Sequence, residues 1–136
     1  MIDQLDMVTE WFNKMRDEYE IIPVWVYYDR ALAGYWQQEM ESNGYKMMPC
    51  AQGAMTMSGP MKMLEADLKA KAVNYNANPI LKWCFANTAI KVDDNENIRP
   101  CKGANRRQRV DGVFSLIDAY VGLQAQQENY MALIGD

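Results

Sequence analysis

The sequence predicts an α/β fold in which a short parallel sheet is flanked by helices and joined by a separate β-hairpin. Three observations predict it. The first fifty residues alternate helical and strand patterns in the order α-β-α-β, which implies a parallel pair of strands with a crossover helix. Residues 21–28 form a continuous run of β-branched and aromatic side chains, the pattern of a strand covered on both faces. Asp93-Asp94-Asn95-Glu96 lies as a polar turn between two short strand-like runs. At 136 residues and 49% hydrophobic content, one domain over 1–136 is expected, able to bury a core without disulfides.

Each element has its own warrant. Over 2–20, Leu5, Val8, Phe12, Met15 and Tyr19 recur at three- and four-residue steps, which predicts a helix. The strand at 21–28 follows, with Pro23 tolerated near its start. Leu32, Trp36 and Met40 predict a helix over 30–43, stopped by Asn43-Gly44. A second strand is expected at 45–50 and a Gly/Ser/Thr loop at 51–59. Met61, Leu64, Leu68 and Ala72 then predict a helix over 60–73. Asn78-Pro79 starts another, with Asn as N-cap and Pro in the first turn. It carries Ile80, Leu81, Trp83, Cys84 and Phe85, with Trp83 expected to pack in the core and Asn87 to close the helix in a left-handed cap. Strands at 89–92 and 97–102 form the hairpin. The last long helix is expected over 110–124, with Val113, Phe114, Ile117, Tyr120 and Val121 inward and a frayed helical tail beyond.

Composition narrows the chemistry. There is no histidine, which removes Ser-His-Asp and Cys-His catalysis and any imidazole base. Cys50, Cys84 and Cys101 are odd in number and widely spaced, so they fit neither a disulfide framework nor a CxxC zinc site. Reduced cysteines, no run of eighteen apolar residues and no secretion signal lead us to expect a cytoplasmic chain that spans no membrane. The net charge of −4 is uneven. Acids crowd residues 1–20, whereas 99–109 carries Arg99, Lys102, Arg106, Arg107 and Arg109 with no acid. That segment reads either as a solvated loop or as a place to hold a polyanion.

Two aspartates carry the candidate chemistry. Asp29 closes the first strand, and ligands of open α/β sheets gather at the carboxyl ends of strands. An Asp before a helix is equally an N-cap. Asp111-Gly112 opens the last helix directly after the basic segment, where an acid is either a dipole partner or a ligand near an arriving phosphate. Two converging carboxylates would bind Mg²⁺ or Mn²⁺, and paired ions of this kind activate water in phosphodiester cleavage. Asp118 lies two turns beyond Asp111, too far along the axis to share an ion with it, and is given a structural role.

The run from Trp25 to Leu133 resembles the C-terminal nuclease domain of the large terminase subunit of tailed phages. An ordered series of motifs carries the resemblance. It comprises Tyr28-Asp29; Asn43-Gly44-Tyr45; Gln52-Gly53 with Ser58 and Pro60; and Asn78-Pro79 with Leu81, Trp83 and Asn87. Then come Asp94 with Asn97, Pro100 and Lys102, and finally Arg109-Val110-Asp111-Gly112 with the helix to Ala119. The resemblance implies a ribonuclease H-like fold and a cluster of acids holding two divalent ions, Mg²⁺ or Mn²⁺. It implies endonucleolytic cleavage of concatemeric double-stranded DNA during genome packaging, alongside terminase and portal components in the host cytoplasm. Asp29 matches the acid at the end of the family's fourth strand, and Asp111 matches its last acid. Lys102, Arg106, Arg107 and Arg109 lie where contacts to the DNA backbone are expected.

The chain also departs from that pattern. The family's sheet opens with three antiparallel strands, the first bearing the leading catalytic Asp, and nothing upstream of Asp29 supplies it on a strand. No G-x-x-x-x-G-K-[ST] occurs, so no motor domain is expected in these residues. A truncated ribonuclease H-like domain is therefore expected, with weak or no cleavage by this chain alone. The alternative is a remnant that binds DNA or a partner without cutting, or a decayed prophage product. In the parent fold the 24–29 strand pairs with the missing first strand. Its edge is expected to be bare and to pair between chains, as a homodimer or a swapped strand.

Overall fold

A computed structural model describes residues 4–32, 34–103 and 109–135. Helix α1 (Gln4–Tyr19) leads to strand β1 (Val26–Asp29), a 3₁₀ turn (Arg30–Leu32), α2 (Gly34–Ser42) and β2 (Met47–Cys50). Helices α3 (Ala54–Lys69) and α4 (Pro79–Asn87) follow, then β3 (Thr88–Val92), β4 (Ile98–Lys102) and the long α5 (Asp111–Ile134). β1 and β2 are parallel, with Val26 opposite Met47 and Asp29 opposite Cys50. β3 and β4 form the antiparallel hairpin. Asp93 makes its turn by accepting the N–H groups of Asn95 and Asn97 through Oδ1.

Strand alternation divides the sheet between two layers of helices. Val26 and Tyr28 bury one face with Met40, Tyr45 and Met47, sealed by Phe12 of α1 and Trp36 of α2. Tyr27 faces the other way onto α5, where a Cβ added at Gly122 would lie 2.6 Å from the Tyr27 ring. Glycine is what lets helix and strand approach so closely there. A second core joins Met57 and Leu64 of α3, Cys84 of α4, and Val113, Ile117 and Tyr120 of α5.

Several boundaries differ from the sequence reading. β1 starts at Val26 rather than 21 because β2 offers no partner to earlier residues; Ile21 and Ile22 are exposed. The 30–43 helix is broken after a 3₁₀ turn and resumes at Gly34, whose φ is +37°. Gly44, at φ +92°, ends it as expected. α3 begins at Ala54, inside the expected loop, and carries Pro60 within it. Met57, Ser58 and Pro60 are all buried, so packing outweighs the backbone bond that proline forfeits. Asn87 is not a left-handed cap: it is buried, and the chain passes straight into β3. Trp83 is 48% exposed, because α4 turns Cys84 and Asn87 inward and Trp83 lies one residue off that face. α5 runs as one helix from Asp111 to Ile134, so the tail beyond 124 is helical as expected. The cysteines are free, as expected, with Cys50 and Cys84 buried.

Candidate active site

The carboxyl ends of β1 and β2 meet the first turns of α5 at a cavity of about 1060 Å³. Asp29, Gln52, Asp111, Asp118, Arg99 and Lys102 all line it. Asp29 is the last residue of β1, and its Oδ1 accepts the N–H of Ala31 at 3.0 Å, holding the turn that follows. The capping role and the place at the strand end therefore coexist in one side chain. Asp111 is the first residue of α5 and exposed. It does not cap the helix; Val110 holds the cap position with no side-chain bond. Its carboxylate lies at the positive end of the helix dipole.

Gly112 explains why the aspartate is followed by glycine. A Cβ there would lie 3.1 Å from Leu81 Cδ1, so the start of α5 sits hard against α4. Asn87 binds both Gly103 and Arg109. Its Nδ2 donates to the Arg109 carbonyl at 3.0 Å, and its own carbonyl accepts the Gly103 N–H at 3.1 Å. Ser58 Oγ accepts the Ile98 N–H at 3.0 Å and seats β4 on α3. Asn87, read as a cap in the sequence, thus ties Gly103 and Arg109 to the end of α4.

Lys102 is exposed at the end of β4 and lines the cavity; Arg109 is exposed beside α5. Arg106 and Arg107 lie outside the described residues. Arg99, which the sequence grouped only by charge, lines the same cavity.

Asp118, given a structural role from its spacing, lines the same cavity. It is 6% exposed, and Oδ1 accepts Nε2 of Gln52 at 3.0 Å. The same Nε2 donates to the Cys50 carbonyl at 3.1 Å. Burial pushes the Asp118 carboxyl above the usual carboxylate range; the bonds from Gln52 and Cys50 oppose this, and the charge of Asp29 adds to it. The Cys50 thiol is pushed up to about 12, by burial first and then by Asp118 and Asp29. This thiol is not a nucleophile at neutral pH. A helix reading separates Asp118 from Asp111 correctly, but says nothing of a strand end on the far side.

Over residues 2–128 the sequence matches the family described as the terminase large subunit, endonuclease domain. The chain belongs to that family. The fold agrees: the crystal structure of the HK97 bacteriophage large terminase superposes with a TM-score of 0.74 at 16% identity, over 88% of this chain and 25% of that one. With it, the α/β architecture is that of a ribonuclease H-like terminase nuclease domain, of which the parallel pair and hairpin form part. Protein YmfN of Escherichia coli (strain K12) is 33% identical over 70 residues, half of this chain and 15% of that protein. The terminase nuclease chain thus spans about a quarter or less of the length of either relative.

A nuclease domain of this family points to metal dependence in general. Among the described residues, no three histidine, cysteine or carboxylate side chains stand close enough together to enclose an ion. The donors at the acidic end are nevertheless all hard oxygens, and Gln52 Oε1 is buried there without a hydrogen-bond partner. This set fits an ion that keeps most of its waters and takes one or two carboxylates, as Mg²⁺ does. Among the described residues no helix is long and apolar enough to cross a membrane.

Proposed function

We propose that this terminase nuclease domain hydrolyses phosphodiester bonds of double-stranded DNA, with Asp29 and Asp111 as its acidic residues. The observation that carries the reading is that these two aspartates, distant in sequence, line one cavity together with Lys102. A divalent ion bound there, Mg²⁺ or Mn²⁺, would acidify its water and neutralise charge on the scissile phosphate. The chain's own residues do the rest. Asp29 and Asp111 supply the anionic field and the oxygens that receive the ion. Lys102 and Arg109, with Arg106 and Arg107 in the same segment, neutralise flanking phosphates and fix the register of the duplex without reading its sequence. The wider setting belongs to the same proposal: genome packaging in the host cytoplasm with other terminase and portal components, and self-association through the β1 edge.

The second reading is a module that holds DNA or a packaging partner without cutting. The sparse donor set among the described residues favours it. Nicking of supercoiled plasmid in Mn²⁺ separates the two. We expect weak nicking by the wild type that disappears in Asp111→Asn. A folded wild-type chain that retards DNA but never nicks it would establish the binding module.

A further inference from the structure

Asp118 is a buried carboxylate without a cation. It lies 6% exposed on α5, and none of the ion pairs among the described residues includes it. Buried charges are normally paired, or they coordinate a metal. Gln52 ties it to the carboxyl end of β2 through a shared Nε2, the neutral Cys50 thiol lies beside it, and β2 places Cys50 opposite Asp29. Asp118 therefore stands at the same strand ends as Asp29, in the same cavity. The other atom of that amide, Gln52 Oε1, is buried and accepts no hydrogen bond. A carboxylate with no cation beside it and a carbonyl oxygen with no donor thus lie in one spot. A hydrated divalent cation compensates both, since its waters donate hydrogen bonds and its charge pairs the acid.

We infer that Asp118, positioned by Gln52, is a further metal-binding residue of this site and forms with Asp29 the inner carboxylate pair, while exposed Asp111 stands at the mouth. The inference rests on the nuclease reading but is separable from it. It gives Gln52 a purpose: its Nε2 fixes the carboxylate, and its Oε1 faces the ion's hydration shell. It also gives the site a third acid beyond the two matched aspartates.

The test is titration of Mn²⁺ alone, without DNA, into wild type, Asp29→Asn, Asp111→Asn and Asp118→Asn, following the electron paramagnetic signal of free Mn²⁺. Asp118→Asn and Asp29→Asn should each weaken Mn²⁺ about tenfold or more, and Asp111→Asn less. Thermal melting with and without Mn²⁺ accompanies it, since a purely structural Asp118 would change the melting point but not its response to Mn²⁺. Gln52→Met keeps the chain length and removes the amide. Its expected loss of about threefold decides the matter if Asp118→Asn does not fold. Wild-type affinity in Asp118→Asn or Gln52→Met, with Asp29→Asn impaired, overturns the inference and leaves the nuclease reading standing. A wild type that binds no Mn²⁺ overturns the inference, and plasmid nicking then reports on the nuclease reading separately.

Discussion

Asp29, Asp111 and Asp118 show what a residue's sequence neighbourhood discloses. The first two sit at element starts and ends, where strand-end and helix-start chemistry is local and readable. Asp118 faces a partner sixty-six positions away, and only the fold brings Gln52 to it. Gly122 is similar: nothing in the helix pattern demands glycine, but the Tyr27 ring leaves no room for a Cβ. Gly122→Ala should force Tyr27 aside, strain its hydrogen bond from Gln126 and cost about 1–3 kcal/mol in urea denaturation. Tyr120 carries a pH dependence. Burial, then its hydrogen bond to Asp67, pushes its hydroxyl from 10.0 up to about 12. A pKa raised by folding stabilises the protein below the ordinary value and ceases to do so as pH rises through the folded one. Tyr120→Phe should therefore cost about 1 kcal/mol at neutral pH, with the gap to wild type closing by about pH 12.

Among the elements, the start of α4 was the most legible because its signals are local. Asn78 Oδ1 accepts the N–H groups of Ile80 and Leu81, and Pro79 fills the first turn where no N–H is needed. Asn78→Ala should lower stability by about 1 kcal/mol in chemical denaturation, with Asn78→Asp close to wild type. The hairpin was legible for the same reason. α3 was not, since proline and glycine inside 51–60 argue locally for a loop, and burial of Met57 and Ser58 argues for a helix only once α5 and β4 are in place. β1 came out shorter than its apolar run because a strand lasts only as long as its neighbour.

At the scale of the molecule, the sheet is unfinished on one side. Val26 gives its N–H to the Lys46 carbonyl at 2.8 Å, so alternation along a parallel ladder turns the N–H and C=O of Tyr27 to the opposite edge. Among the described residues no strand pairs there. Val8 and Phe12 of α1 and Leu123 and Tyr130 of α5 line the space beside it, which is continuous with the acidic cavity. An apolar slot between two helical layers, floored by an unpaired edge, is a template for another strand. We expect the purified chain to run as a dimer in light scattering after gel filtration, with the Tyr27 amide slow to exchange. A monomer whose Tyr27 amide exchanges freely would exclude self-pairing through this edge.

The sequence by itself determined the alternation of helix and strand, the hairpin, the cap of α4 and the two aspartates at element boundaries. Each depends on residues within a turn or two of one another, where periodicity and capping chemistry act directly. Tertiary structure decided where β1 begins, why α3 tolerates Pro60, why Gly112 and Gly122 are glycines, and that Asp118 meets the strand ends. Those are matters of which surfaces touch. The free energy of burying them exceeds the local preferences from which a sequence is read.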